Sequence, residues 1–235
     1  MSLNANSLGV LRQSVQLGAL LPAEGVNLTA AARTLGAAYA WLGDSLPEVG
    51  AATGNWVDVV GGVVATATGA PTVGVLNGRK AALFAGAQYY QTAAFAAAIA
   101  QPYAIVSVFS RADTDSVGRV LFDGLVNFQA QIYTFGVTFR SVIGGDRSLF
   151  VYTPNTNYVF SITVTTPLVT WSAAPQTAGT YVPGTLFSVT GATIGAAGDL
   201  ARPFIGPIAA VVIFPAASVA NAATFAELAK RYYRI

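Results

Sequence analysis

Short runs of apolar and β-branched residues recur along most of the chain and define its predicted strands. From about residue 38 onward, runs of Val, Ile, Phe, Tyr and Thr are separated by Gly, Pro, Asn or Asp about every 8–12 residues, a spacing typical of β-sandwiches and barrels. The predicted strands are 102–109, 118–122, 128–134, 137–142, 158–165, 168–171 and 204–214. Turn signals lie between them at Asp123-Gly124, Gly144-Gly145-Asp146, Pro154-Asn155 and Pro183-Gly184.

The C-terminal segment changes from strand to helix periodicity. Residues 218–233 carry an apolar face of Phe225, Leu228 and Ala229 and end in basic residues, as a helix C-terminus favours. Ser218 is the predicted N-cap. Many short strands closed by one helix predict an all-β protein, an antiparallel β-sandwich of the jelly-roll type with a short C-terminal helix.

The N-terminal segment, residues 1–37, is rich in Ala, Leu and Gly and lacks the strand pattern. Residues 7–21 have apolar positions near helical spacing, and the alanine-rich stretch 28–39 follows a candidate cap at Asn27 or Thr29. The segment is either an arm that orders against a neighbouring subunit or the first strands of the domain. We favour the arm, with the jelly-roll domain spanning residues 38–235.

Residue types that are missing exclude several classes of chemistry. The 235-residue chain has no cysteine and no histidine. Disulfide frameworks, thiol nucleophiles, the Ser-His-Asp triad and histidine metal ligands are therefore excluded. Although 54% of the residues are hydrophobic, no apolar run reaches the roughly 18 residues of a membrane helix. The N-terminus lacks the pattern of a signal peptide, so we expect synthesis in the cytosol.

Charge is scarce, and its scarcity matters more than its sign. Charged residues make up 9% of the chain, against about 25% in an ordinary soluble domain. The net charge of +2 is spread over scattered residues and forms no basic stripe, which argues against a nucleic-acid partner. A surface of Thr, Ser and Gly is one explanation. We favour the other, a homo-oligomer or subunit whose exterior is covered by its neighbours.

Five segments in order resemble a known family. They are the runs 38–42, 55–58 with Trp56 and Asp58, 76–90 with Asn77-Gly78, 192–195 followed by 202–209, and 217–233. Together they are similar to concanavalin A-like, laminin-G-like jelly-roll domains, especially those of bacteriophage virion proteins and secreted bacterial proteins. The chain departs from the family at Ile205 and Ala210, where acidic residues are common, so the resemblance implies no cation or sugar site that would use them.

Glycoside hydrolysis is the enzymatic alternative that the resemblance raises, because this fold hosts glucanases. That chemistry needs two carboxylates about 5–10 Å apart. The glutamates are Glu24, Glu48 and Glu227, in the arm, a loop and the helix, so no predicted strand carries a pair. We therefore predict that the chain is not an enzyme and has no catalytic residues and no cofactor.

The loop around Asp113 and Asp115 holds the densest group of carboxylates. Two such side chains could bind calcium together with backbone carbonyls. The alternative, which we favour, is a solvated turn in which the flanking Arg111 and Arg119 compensate the charge. We therefore predict no metal site.

Two further carboxylates have structural interpretations. Asp58 follows Trp56 and is expected to accept hydrogen bonds from backbone amides of its turn. Asp146 and Arg147 are expected to form a loop ion pair of little energetic weight.

Sugar recognition would use exposed aromatic rings with polar neighbours. The candidates are Tyr89, Tyr90, Tyr133, Tyr152 and Trp171. Aromatic residues at strand spacing more often pack in the core or across strands, and we favour that interpretation for each of them. The glycosylation motif that begins at Asn27 carries no weight without a secretion signal.

These observations together predict a structural protein of a virus particle. Low charge, the candidate arm and the resemblance favour a bacteriophage capsid decoration (cement) protein, located in the virion and bound to the major capsid protein and to copies of itself. The alternative is a carbohydrate-binding or receptor-binding module of a phage tail fibre or spike, with a glycan as partner.

Overall fold

The computed structural model describes residues 25–235, which form two antiparallel β-sheets and two α-helices. The helices are α1 (Leu28–Thr34) and α2 (Ala222–Tyr233), and 3-10 turns span Gly43–Ser45 and Ala216–Asn221. The strands are β1 (Tyr39–Leu42), β2 (Asn55–Val57), β3 (Val64–Thr68), β4 (Thr72–Leu76), β5 (Arg79–Ala85), β6 (Tyr89–Thr92), β7 (Tyr103–Ser110), β8 (Arg119–Asp123), β9 (Ile132–Phe135), β10 (Thr138–Ser141), β11 (Arg147–Val151), β12 (Asn157–Val164), β13 (Val169–Ala174), β14 (Ala178–Tyr181), β15 (Thr193–Ile194) and β16 (Ile205–Phe214).

The strands are divided between two sheets that pack face to face. Sheet 1 has the order β14-β13-β12-β7-β16-β5-β4, and β1 pairs with the second half of β16. Sheet 2 has the order β11-β10-β9-β8-β15-β6-β3-β2. Within residues 25–235, every pairing between these strands is antiparallel. The predicted all-β sandwich with a short C-terminal helix is confirmed.

The main core lies between the sheets and is dominated by aromatic rings. Phe139 of sheet 2 is fully buried, with its ring centre 5.1 Å from Phe109, 5.0 Å from Phe150 and 4.7 Å from Phe160. Trp171 stacks on Phe150 at 5.7 Å. Such offset and edge-on pairs add stability beyond the burial of their area.

A second core lies on the other side of sheet 1, beneath the two helices. Val106 and Val212 point into it, and Phe214 packs against Phe225 of α2 at 5.8 Å. Strand β7 is buried at all eight positions because both of its faces are covered. Burial on both faces also explains why β7 and β16 read as continuous apolar runs.

The alanine-rich stretch of the predicted arm forms α1. Asn27 caps it by accepting a hydrogen bond from the N–H of Ala30 at 2.9 Å. Val26, Leu28 and Ala32 are buried in the second core. The predicted helix at 7–21 lies outside the described residues, and the division into an arm and a domain at residue 38 stays a prediction.

The C-terminal helix begins later than the sequence pattern indicates. Its N-cap is Asn221, and the predicted cap Ser218 lies instead in the preceding 3-10 turn. The hydroxyl of Ser218 donates to the carbonyl of Gly36 at 2.6 Å, so it ties the turn to the end of α1. Within residues 25–235, no helix is long and apolar enough to cross a membrane.

The predicted strand 128–134 is wrong in its first half, since strand β9 begins only at Ile132. Phe128 has a left-handed backbone with φ of 70° and lies in a loop. The apolar run therefore indicated a strand where the chain turns.

Candidate functional site

Two loops meet over the outer face of sheet 2, where Ala197 packs with Val120 and Tyr133 apart from the core between the sheets. Residues 124–131 join β8 to β9, and residues 195–203 join β15 to β16; we call them the Asp123 loops. Phe128, Leu200 and Arg202 in these loops have φ of 70°, 64° and 55°. Left-handed backbone at residues other than glycine costs about 1–3 kcal/mol each and clusters at functional sites. This concentration of strain makes the loops the candidate site.

The buried carboxylate of Asp123 holds both loops in place. Its side chain has no exposed surface and accepts five hydrogen bonds. The donors are the backbone N–H groups of Gly124 (2.8 Å), Phe128 (3.0 Å), Ala130 (3.2 Å) and Gly198 (3.2 Å), and the side-chain amide of Gln131 (2.8 Å). Burial raises the pKa of Asp123 even though these hydrogen bonds favour its charged form.

A polar network extends from Asp123 to the surface. Arg202 donates to Gln131 Oε1 at 3.2 Å and to Asn127 Oδ1 at 3.1 Å. Asn127 in turn donates to Asp199 Oδ2 at 2.7 Å. The Arg202 guanidinium also lies 5.5 Å from the centre of the Phe128 ring. An aromatic ring, an amide, a carboxylate and a guanidinium are thus fixed side by side.

The rim of this network is apolar and open to solvent. Phe128 is 44% exposed, and Val126 and Leu200 are also exposed. An aromatic ring held next to fixed hydrogen-bonding groups matches the make-up of small-molecule sites. The loops can therefore stack one face of a ligand on Phe128 and hydrogen-bond its edge through Asn127, Asp199 and Arg202.

The residues chosen as metal candidates face arginines. Arg111, whose side chain is fully buried, bonds Asp113 and lies 2.5 Å from Asp115. Arg119 bonds Asp115 at 2.5 and 3.0 Å. The predicted charge compensation by the two arginines is confirmed. Within residues 25–235, no group of three acidic residues is arranged to hold a metal ion.

The Asp115 cluster predicts an acid-sensitive contribution to stability. The hydrogen bond from Arg119 lowers the pKa of Asp115, so its contribution is present above the ordinary pKa of 3.8 and is lost as pH falls below it. We expect Asp115→Asn to lower the Tm by about 1–3 °C near neutral pH and by less at pH 2. Thermal melts of both proteins between about pH 5 and pH 2 test this; parallel curves would contradict it.

The prediction for Asp58 is confirmed, and the prediction for Asp146 is wrong. Asp58 is buried and accepts from the N–H groups of Ala40, Val60 and Gly61, as expected. Asp146 does not pair with Arg147.

Asp146 bonds Arg140 instead, at 2.7 and 3.0 Å, and accepts from the Tyr133 hydroxyl at 2.8 Å. The β10–β11 hairpin brings Arg140 across the turn, which spacing along the chain alone does not show. Burial would raise the pKa of Asp146, but the bonds from Arg140 and Tyr133 outweigh it and lower the pKa.

The aromatic candidates for sugar binding are mostly core residues. Tyr90, Tyr133, Tyr152 and Trp171 are buried, which confirms the packing interpretation for these four. Tyr89 is half-buried on β6. The exposed ring of the candidate site, Phe128, was missed because it was assigned to a strand.

Comparison with known proteins shows which fold the chain has. No family model matches the chain, and no curated protein matches it. A sialidase of Trypanosoma rangeli superposes with a TM-score of 0.60 at 12% identity, over 97% of this chain and 39% of the sialidase. Domain 4 of AbnA, a GH43 extracellular arabinanase of Geobacillus stearothermophilus in complex with arabinotriose, gives 0.57 at 12% identity, over 80% and 98%.

A third likeness is to botulinum neurotoxin type C, described as interacting with two ganglioside molecules. It gives a TM-score of 0.51 at 10% identity, over 80% of this chain and 52% of the toxin chain. The chain thus spans about two fifths of the sialidase and half of the toxin chain. All three likenesses are to β-sandwich, jelly-roll-like folds, and the expected link to bacteriophage and capsid proteins receives no support.

The prediction that the chain is not an enzyme is contradicted. The solved structures with the same fold include a sialidase and an arabinanase domain, so the fold is shared with enzymes. The prediction relied on missing histidine and on the lack of a glutamate pair. Some glycoside hydrolases use a tyrosine nucleophile, so the lack of histidine and of a glutamate pair does not exclude glycoside hydrolysis. At this level of identity the likeness shows the fold alone.

Proposed function

We propose that the chain is a carbohydrate-binding module and that its ligand lies on the Asp123 loops. The observation that carries this proposal is the exposed Phe128 ring, fixed beside Asn127, Asp199 and Arg202. Each of these groups is held by another member of the network or by the buried Asp123. A site that is already ordered loses little conformational entropy when it binds.

The chemistry of this group matches a sugar ring. A pyranose or furanose has an apolar face of C–H groups, which packs on an aromatic ring, and an edge of hydroxyls that donate and accept hydrogen bonds. Arg202 and Asn127 offer donors, and Asp199 offers acceptors. Charge-assisted bonds to a carboxylate or guanidinium are stronger than neutral ones, so Asp199 and Arg202 would contribute most to orientation.

The ligands named for the structural neighbours support this class of ligand. The arabinanase domain was solved with arabinotriose, a T. rangeli sialidase with sialic acid, and the toxin is described as interacting with gangliosides. All three ligands are saccharides or carry one.

Binding to a glycan array, followed by titration of the best glycan, tests the proposal. Phe128→Ala is expected to weaken binding at least about tenfold, because it removes the stacking surface and leaves the fold intact. Phe135→Ala is the matched control. Phe135 is also an exposed phenylalanine (47%), and it lies at the end of β9 that points away from the loop 124–131.

Two results would overturn the proposal. The first is an array without any bound glycan. The second is equal weakening by the Phe128 and Phe135 variants, which would place the sugar elsewhere.

A further inference from the structure

The charged residues are missing from one long part of the chain. Between Arg147 and Asp199 there is no Asp, Glu, Lys, Arg or His. This part supplies β12, β13, β14 and β15 with their loops. Several of its apolar side chains are exposed, including Val151 at 62% and Val182 at 68%. The surface that it forms therefore presents little charge to keep another protein away.

Strand β14 is an edge of sheet 1, and its outward backbone groups follow from the pairing with β13. The N–H of Ala173 donates to the carbonyl of Thr177 at 2.7 Å, so this is a hydrogen-bonded pair. Bonded and non-bonded pairs alternate in an antiparallel ladder. Given the observed register, Gly179 and Tyr181 bond to β13, whereas Ala178 and Thr180 turn their N–H and C=O groups outward.

Nothing in residues 25–235 pairs with this edge. A groove of about 260 Å³ lies between α2 and part of the outer face of β12 and β13. The groove is lined by the hydroxyl-bearing residues Ser161, Thr163, Thr170 and Ser172. Lys230 of α2 lies towards Ala178 but is paired with Glu227 at 2.6 Å.

Three other sheet edges are each covered, shorter than the four-residue β14, or bulged and charged. Residues 50–52 cover β4, with hydrogen bonds between Gly50 and Val73 at 2.7 Å and between Val73 and Ala51 at 2.9 Å. In sheet 2, β2 has three residues, and β11 begins at Arg147 and has a bulge at Leu149 where it pairs with β10. Bulges, charges and shortness are the usual means of preventing edge-to-edge pairing.

We propose that β14 pairs antiparallel with β14 of a second copy of the chain, which joins the two copies of sheet 1 into one continuous sheet. Antiparallel pairing of a strand with its own copy is self-complementary, since each copy offers the same donors and acceptors. With Gly179 at the two-fold axis, Ala178 of each copy lies opposite Thr180 of the other. The outward groups then form four hydrogen bonds. No charged side chain on β14 opposes this contact.

Sedimentation velocity of the full chain over a range of concentrations tests the proposal. The wild type is expected to form a dimer. Thr180→Lys places two like charges next to the axis and should raise the dimer Kd at least about tenfold. Val151→Lys is the matched control, because it adds the same charge at an exposed position of β11, the edge of the other sheet. It should leave the dimer intact.

Circular dichroism and a thermal melt establish that both variants fold. A wild type that stays monomeric at every concentration would overturn the proposal. So would a dimer that resists Thr180→Lys, or a larger oligomer that depends on Val151. Glycan binding by the monomeric Thr180→Lys variant keeps this test separate from that of the Asp123 loops.

Discussion

Replacing Asp123 with alanine is expected to lower the free energy of unfolding by about 3–5 kcal/mol, the cost of leaving several buried donors without an acceptor. The variant leaves four backbone N–H groups and the Gln131 amide without their acceptor, in a place that water does not reach freely. Each unsatisfied buried donor costs about 1–3 kcal/mol, although the costs do not add fully. Urea unfolding followed by tryptophan fluorescence measures the loss.

Asparagine at the same position should give an intermediate loss. It keeps one acceptor oxygen but turns an NH₂ group towards N–H donors. Asp58→Ala is the control, since Asp58 is also a buried carboxylate with backbone donors but belongs to a different turn. Both alanine variants should lose stability, and only Asp123→Ala should lose glycan binding below its melting temperature. Full stability of Asp123→Ala would show that the carboxylate does not hold the loops.

Truncating Phe139 to alanine should lower the free energy of unfolding by about 3–5 kcal/mol, the usual cost of removing a fully buried phenylalanine. The ring contacts Phe109, Phe150 and Phe160, which belong to both sheets. Its loss leaves a cavity at the centre of the main core. Denaturant unfolding gives the change as a shift of the midpoint at constant m-value.

Phe139→Leu fills part of the cavity and should lose less. The exposed Phe135, on the neighbouring strand β9, provides the surface comparison, and its alanine variant should stay within about 0.5 kcal/mol of wild type. Equal losses for the Phe135 and Phe139 variants would contradict the assignment of the core between the sheets.

The strands that the sequence predicts best are those buried on both faces. Strands β7 and β16 lie within one or two residues of their predicted ranges, because a strand covered by the other sheet and by helices needs apolar residues throughout. The Asn77-Gly78 turn between β4 and β5 is equally local, with φ of 49° and 77°. In these places the residues of one short stretch are enough to determine the local structure.

The candidate site could not be read from the sequence in the same way. Asp123-Gly124 looks like an ordinary turn, and it is the contact with Gly198, 75 residues further along, that makes Asp123 an anchor. Arg202 reaches Asn127 across the same separation. The partner of Asp146 was missed for a related reason, since a hairpin brings Arg140 closer than the neighbouring Arg147. Composition showed that charge is scarce without showing where on the surface it is missing.

Antiparallel pairing of β14 with its copy would determine which way the two glycan sites of a dimer face. The two-fold axis between antiparallel neighbours is perpendicular to their sheet, so a dimer joined at β14 turns both copies of sheet 2 to the same side. The two sets of Asp123 loops would then face one glycan-coated surface together. Once the first loop pair is bound, the second binds from a high effective concentration, and avidity can exceed the affinity of one site by about 10²–10⁴. A weak sugar site on each chain would then suffice for firm attachment.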